Sequence, residues 1–344
     1  MEKKKDPIIT LMRSVAIILV VLQHALKYST NQTMFSFAKV CYAIDVNVFF
    51  FISGYLFEGK KSNYMGKNVP RFIIKKTKEL LIPYFSWSFL IYFGVYFAYI
   101  IPGMERILEK IGFERFTVQE IFVNIFTFNK YYIELYWFIY LLFMIFMIAI
   151  IKEHKLNTYI YFGLVIIGLS ALQSVNGNYL IHKMCVSLIM FEVGRIVYRR
   201  NLFGQLLNPA LLVCSILLTV IFQYRRLNVP IKTIGYEFFY YIYWNLENII
   251  LGLAGVVICV FVSITINRLN YVKKIFLWIG EESFRIYLIH NPYVVAVSFM
   301  VCSSFMTNTA AVLITTFVGI AMPPFIYSVL KRIPAVPMLF FGET

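Results

Sequence analysis

Long apolar runs of about twenty residues recur along this chain, and they restrict its architecture more than any other feature. A run of that length, wound as a helix, matches the hydrocarbon thickness of a bilayer. Inside lipid the backbone must satisfy its own hydrogen bonds, which leaves helices or closed barrels. The runs are continuous and rich in Phe, Ile and Leu instead of alternating, so they select helices. The chain of 344 residues is 60% hydrophobic, where a soluble domain is nearer half. The expected fold is all-α, a polytopic membrane helix bundle of about ten transmembrane helices. The expected spans are 8–28, 40–57, 80–101, 133–151, 158–174, 179–197, 207–223, 244–264, 284–303 and 308–330.

Charge sets the expected orientation. With the N-terminus cytoplasmic, twenty Lys and Arg fall in the inside segments and ten in the outside ones. That bias places both the N-terminus and the C-terminus in the cytoplasm. The net charge of +15 is spread over short loops between apolar runs, so it reads as topology and excludes a nucleic-acid-binding stripe. The five cysteines are scattered, mostly within apolar runs, and form no Cys/His cluster; neither a disulfide framework nor a metal site is expected. Lys3-Lys4-Lys5 before the first apolar run resembles the start of a signal peptide. No small-residue cleavage site follows, so the segment is expected to stay as the first span. No repeat or appended soluble domain is visible, and residues 1–344 are expected to form a single membrane-embedded domain.

The first span carries Arg13 and His24. Ionisable groups inside a span are costly and are functional candidates by default. Eleven residues at ~100° each return to within ~20° of three full turns, so both side chains share one helix face, ~16 Å apart along the axis. A neutral His24 can take a proton from a hydroxyl as that hydroxyl attacks an acyl carbonyl. Arg13 keeps its charge and needs a cavity, a carboxylate or an anionic ligand, or else snorkels to the interface.

Asp45 opens the second expected span, about five residues in, at a depth similar to His24 across a short loop. It is the candidate to orient His24 and stabilise its imidazolium. Ser53-Gly54 reads as a small-residue patch for close helix packing, with Ser53 as a nucleophile the minor alternative. The following loop gathers Lys60, Lys61, Lys67, Arg71, Lys75, Lys76 and Lys78 before Ile82-Pro83-Tyr84. It serves topology and anionic headgroups, or it forms a phosphate-binding rim for a donor such as coenzyme A.

Glu134, before Tyr136-Trp137-Phe138, either touches a polar acceptor or starts a helix in solvent. Glu281 and Arg285 have pairing distance at i,i+4. His290 is the second intramembrane histidine, a packing residue or a site residue, whereas His154 and His182 lie at helix ends or loops. The aromatic run Phe238–Trp244 lies in an outside loop, as an interfacial belt or as a platform for sugar rings.

Together these segments resemble the acyltransferase 3 family of integral membrane acyltransferases. The matching pieces are Arg13 to His24, then Asp45 through Leu56 with its aromatics and Ser53-Gly54, then the basic loop ending Ile82-Pro83-Tyr84. Tyr136-Trp137-Phe138, Phe191-Glu192-Val193-Gly194 and Ser283 through His290 follow in order. The resemblance departs in the basic loop, where lysines and Glu79 stand in place of arginines.

The resemblance implies a ten-helix enzyme that takes an acyl group from cytosolic acyl-CoA to a hydroxyl of an envelope or extracellular glycan or glycolipid; acetyl, from acetyl-CoA, is the expected acyl group. On the basis of the resemblance Arg13 and His24 are the essential pair, with Arg71, Lys75 and Lys78 near the coenzyme; from the residues themselves Asp45 joins the expected catalytic set, and Glu134, Trp137, Tyr287 and His290 are the acceptor candidates. Acyl-CoA is a donor substrate, with no permanently bound cofactor, and a bacterial cytoplasmic membrane is the implied location. Some family members add a hydrolase-like domain after the last span; here none follows, so the chain is expected to finish the transfer alone or with a separate partner. The rival class is an exporter of polysaccharide or lipid-linked sugar, which also carries polar residues in its spans.

Overall fold

The computed structural model describes residues 6–110, 115–127, 136–151, 158–175, 179–228 and 237–343. The described residues form helices and connecting turns, with no strand among them. In chain order the helices are α1 Pro7–Lys27, α2 Gln32–Gly59, α3 Val69–Lys76, α4 Ile82–Ala98, α5 Met104–Lys110, α6 Val118–Thr127 and α7 Trp137–Ile151. They continue with α8 Thr158–Val175, α9 Tyr179–Arg199, α10 Pro209–Asn228, α11 Glu237–Asn267, α12 Asn270–Ile289, α13 Val295–Ser303, α14 Asn308–Leu330 and α15 Val336–Phe341.

Seven helical segments among the described residues are long and apolar enough to cross a membrane: Pro7–Lys27, Gln32–Gly59, Gly66–Ala98, Pro209–Arg226, Glu237–Asn267, Asn270–Ser303 and Asn308–Leu330. Trp137–Ile151 and Ile160–Val175 are shorter apolar helices. The described residues are thus all-α, and the protein is an integral membrane protein.

Several boundaries differ from the sequence expectation, each for a local reason. Helix α1 starts where expected because Asp6 caps it, accepting from the Ile8 N–H at 2.9 Å, with Pro7 in the first turn. Helix α2 starts eight residues earlier than the apolar run, because the Asn31 side chain accepts from the N–H groups of Thr33 and Met34. Asp45 consequently lies well inside α2 instead of near its start. The aromatic run Phe238–Trp244 is the opening of α11 and not a loop.

The ninth expected span is two helices. Helix α12 begins at Asn270, well before the apolar stretch, and accommodates charge by pairing Arg285 with Glu282 at 2.7 Å. It breaks at Asn291, whose backbone is extended (φ −132°, ψ 137°). The residue before a proline is pushed out of the helical region, and Pro292 has no N–H to continue the ladder.

The described chain divides into two compact units. In the first, which contains residues up to Ser62, Leu156–Val175 and Lys183–Ile326, helix α1 packs against α2, α11, α12 and α13. The backbones touch where glycine permits. A Cβ on Gly280 of α12 would overlap the Thr10 carbonyl of α1, and beside it Ser14 Oγ donates to the Phe276 carbonyl at 2.6 Å. Helices α2 and α9 meet reciprocally: a Cβ on Gly54 would overlap the Phe191 carbonyl, and one on Gly194 the Phe51 carbonyl. Ser53-Gly54 is thus the close-packing patch expected of small residues between membrane helices.

A buried ion network locks the same helix pair. Glu58 accepts from Arg195 Nε at 2.8 Å and from Arg199 Nε at 3.0 Å, and Arg195 also reaches Glu192 at 2.9 Å. Arg195 is 2% exposed, so the network replaces hydration that the guanidinium has lost. Helix α11 is tied to α8 by Asn245 Nδ2, which donates to Ser170 Oγ at 3.0 Å and Gln173 Oε1 at 2.9 Å.

The second unit holds Asn63–Lys155, Asn176–His182 and Tyr327–Thr344. The long loop expected after the third span carries two short helices, α5 and α6. Tyr84 Oη fastens α6 by donating to the Ile125 carbonyl at 2.6 Å. Helix α15 packs on α4, where Trp87 Nε1 donates to the Phe340 carbonyl at 2.7 Å. Between α3 and α4 a wide helical turn, Thr77–Leu81, brings Glu79 to Lys76 at 2.7 Å and to Lys75 at 3.6 Å.

Candidate active site

The site grows from α1. Its helical path puts Arg13 and His24 on one face, as the spacing requires. Both are half-buried. Arg13 has no hydrogen-bond or ion-pair partner among the described residues. A guanidinium inside an apolar helix without a carboxylate is costly to keep, and an anionic or carbonyl-bearing ligand is what such a group accommodates.

At the other end of α1, the ring of His24 meets the ring of His290, with centroids 5.2 Å apart and planes at 60°. The break after α12 prepares His290 for this. In an unbroken helix the Tyr287 carbonyl would accept from the N–H of residue 291, but Asn291 has left the helix. His290 Nδ1 lies 2.8 Å from that carbonyl and 3.0 Å from the Ile286 carbonyl. A nitrogen facing two carbonyls is the protonated one, so in the neutral ring Nε2 carries the lone pair. Nε2 is buried and has no hydrogen-bond partner. The break is held against α1 by Tyr28 Oη, which donates to Asn291 Oδ1 at 3.3 Å. Tyr287, another acceptor candidate, lies with its ring 6.0 Å from that of His290.

Asp45 is fully buried on α2. Its Oδ1 accepts from the Val46 N–H at 2.5 Å, and Oδ2 has no hydrogen-bond partner. The hydrogen bond expected from Asp45 to His24 is therefore not formed. The reading by depth placed Asp45 beside His24, but depth along a helix says nothing about which way the side chain points around it. Lys27, one turn beyond His24, lies within Coulombic reach of both His24 and Asp45.

The remaining candidates fall in the second unit. Arg71 on α3 and Lys78 in the wide turn are exposed, and Lys75 is exposed while paired with Glu79. Trp137 is buried as the first residue of α7, edge-on to Phe138. Glu134 lies outside the described residues, as does His154. Among the described residues no three His, Cys, Asp or Glu side chains gather as a metal site.

Sequence reasoning missed one group. It counted Lys27, Lys183, Arg225 and Arg226 only as outside charges, yet the fold gathers them. Lys27 Nζ lies 5.1 Å and Lys183 Nζ 4.4 Å from the centroid of the Tyr42 ring. No spacing rule links α1, α2, α9 and α10, so the sequence carried no signal for it.

An apolar helix bundle whose first helix carries an arginine without a partner among the described residues, and a histidine that faces a second one from the break after α12, defines a membrane enzyme or transporter that handles a polar substrate. The family comparison resolves this. A model of the acyltransferase domain family, the acyltransferase 3 family, matches residues 6–328, nearly the whole chain. The chain belongs to that family and is a membrane acyltransferase. Comparison with curated proteins and with solved structures returned no match.

Proposed function

We propose that this protein is an O-acyltransferase that moves an acetyl group from cytosolic acetyl-CoA to a hydroxyl of an envelope glycan. It does so in a bacterial cytoplasmic membrane, as one ten-span domain with both termini inside. The observation that carries this reading is the α1 face itself: Arg13 without a partner among the described residues at one end, and at the other His24 against His290, whose Nε2 is buried and unsatisfied.

In the proposed reaction Arg13 meets the phosphate or amide oxygens of the donor entering from the cytoplasm. Arg71, Lys75 and Lys78, exposed cations of the second unit, draw the anionic donor from solution by charge. His24 takes the proton of the acceptor hydroxyl as its oxygen attacks the thioester carbonyl. The C–O bond forms, the C–S bond breaks, and coenzyme A leaves as the thiol after receiving the proton from the His24 imidazolium. His290 acts as a positioning residue: its Nε2 accepts a hydrogen bond from the His24 N–H or from the acceptor hydroxyl. Asp45, buried on α2 within Coulombic reach of Lys27, has no bond to His24 and carries no step of the reaction. Direct transfer needs no enzyme nucleophile.

The test is base-labile acetate in the envelope of cells lacking the gene, complemented with wild type, or complemented with His24→Ala at equal protein level. Acetate only with wild type supports the reading. Equal acetate with His24→Ala overturns the assigned chemistry. Export of a glycan that depends on the gene, without any dependent acyl ester, favours the exporter.

A further inference from the structure

Helix α14 carries two adjacent threonines whose hydroxyls differ in their surroundings. Thr316 Oγ1 donates to the Val312 carbonyl one turn back at 2.7 Å, the usual way a hydroxyl is satisfied within an apolar helix. Thr315 is fully buried, yet its Oγ1 has no hydrogen-bond partner among the described residues. A hydroxyl buried without a partner raises the energy of the fold, and a ligand that bonds to it lowers it.

Two contacts between α14 and α1 fix where Thr315 faces. At one end Asn308 Nδ2 donates to Thr30 Oγ1 at 2.9 Å. About three turns later, a Cβ on Gly319 would lie 2.6 Å from the Val21 side chain of α1 and 3.0 Å from that of Val295. The two helices therefore run antiparallel. Thr315 stands one turn before Gly319 and shares its face. That turn is ~6 Å along the axis, which on α1 leads from Val21 to His24 and Ala25. Val21, His24 and Tyr28 lie at i, i+3 and i+7, one stripe of α1. Val295, the other neighbour of Gly319, opens α13 right after the turn His290–Val294, and His290 meets His24 with ring centroids 5.2 Å apart. Helix α1, the break after α12 and helix α14 thus bring His24, His290 and Thr315 to one level.

The two unsatisfied atoms at this level define what they would hold. His290 Nε2 only accepts, because Nδ1 carries the ring proton toward the Tyr287 carbonyl. The Thr315 hydroxyl both donates and accepts. A ligand that satisfies both atoms carries O–H groups, which describes a neutral polyol such as a sugar ring. We propose that Thr315 is an acceptor-binding residue: its hydroxyl shares a hydrogen bond with an acceptor hydroxyl next to the one that His24 deprotonates. The ring is thereby held with its reacting oxygen at His24. Thr315 moves no proton and forms no covalent bond. Its role toward an acceptor rests on the transferase reading, whereas its binding of a polyol does not.

The experiment measures the thermal unfolding midpoint of the full chain in an uncharged detergent, without any donor. The probes are methyl glucoside and its fully O-methylated form, the same ring without a free hydroxyl. The expected result is a saturable rise with methyl glucoside and none with the O-methylated ring. Thr315→Val keeps the branched shape and removes the hydroxyl. It should leave the midpoint without a probe unchanged or higher, because the lost hydroxyl has no partner among the described residues. It should raise the half-saturating methyl glucoside concentration about three- to tenfold, the worth of one neutral hydrogen bond. Thr315→Ser, which keeps the hydroxyl, should stay within about twofold of wild type.

No rise with methyl glucoside, an equal rise with the O-methylated ring, or an unchanged half-saturation in Thr315→Val would overturn the proposal. A lower midpoint of Thr315→Val without a probe, restored in Thr315→Ser and with the methyl glucoside response unaltered, would make the hydroxyl structural and also overturn it. Envelope acetate in cells carrying the same variants separates this role from the transferase reading. Methyl glucoside binding that depends on Thr315, without any acyl ester that depends on the gene, would sink the transferase reading alone. Gene-dependent acetate at the wild-type level in Thr315→Val would sink this inference alone.

Discussion

The imidazole rings of His24 and His290 lie 5.2 Å apart, one on the unbroken helix α1 and the other at the break that follows α12. His290 gives its Nδ1 side to two backbone carbonyls and turns an unsatisfied Nε2 into the protein interior. A buried polar atom without a partner costs roughly 1–3 kcal/mol. A substrate or a catalytic proton is the natural claimant for that atom.

Removing the proposed base is the most direct consequence. His24→Ala should lower acyl transfer by about 10²–10⁴-fold, the usual contribution of a positioned general base. The folded protein should be recovered in normal yield, because His24 is half-buried and makes no hydrogen bond among the described residues. Coenzyme A thiol release with purified protein measures it, and a rate within threefold of wild type would remove His24 from the chemistry.

The two nitrogens of His290 can be told apart by substitution. Gln places a carboxamide near the position of Nε2, whereas Asn places one near Nδ1. His290→Gln should retain a measurable fraction of kcat, and His290→Asn should lose about tenfold more while keeping the bond to the Tyr287 carbonyl. Equal loss in both variants, with KM unchanged, would mean that Nε2 plays no part.

Arg13 is expected to act on the donor. Arg13→Ala should raise the KM for acyl-CoA by about tenfold or more, with Arg13→Lys intermediate, because a lysine keeps the charge but not the planar fork. A change in kcat alone, with KM for acyl-CoA intact, would place Arg13 elsewhere in the cycle.

The glycine contact between α2 and α9 leaves no space for a side chain. A methyl group at Gly54 would overlap the Phe191 carbonyl, which belongs to backbone and cannot swing away. Gly54→Ala should destabilise the protein by about 1–3 kcal/mol, the usual cost of overpacking. A lowered unfolding midpoint in detergent checks this. Gly94→Ala, with nothing within 4 Å of the added methyl, serves as the neutral control.

Glu58 neutralises a guanidinium that is 2% exposed. Glu58→Gln removes the charge and leaves Glu192 as the carboxylate bonded to Arg195 at 2.9 Å. Breaking a buried pair by removing one partner costs about 3–5 kcal/mol, so the folded yield should fall sharply. Glu58→Asp should recover part of it; normal yield of Glu58→Gln would show that Glu192 suffices.

The order and type of the elements were legible in the sequence because they depend on local chemistry. Twenty apolar residues must wind into a helix in lipid, and the first apolar run, expected from residue 8, begins one residue inside α1. Arg13 and His24 share a face because helical periodicity alone puts them there. Boundaries were misread where polar residues extend a helix past its apolar run, as Asn31 does for α2 and the Glu282–Arg285 pair does for α12.

Partnership was decided by tertiary structure. That His24 meets His290 and not Asp45 depends on the rotation of α2 and on the break at Asn291. That Lys27 and Lys183 share the ring of Tyr42 depends on three helices packing at one end of a unit. Apolar length and helical period are properties of neighbouring residues, so sequence alone determines them. Which side chains face each other across helices depends on packing angles and on backbone contacts such as Gly54 on Phe191 and Gly280 on Thr10, and those exist only once the bundle has formed.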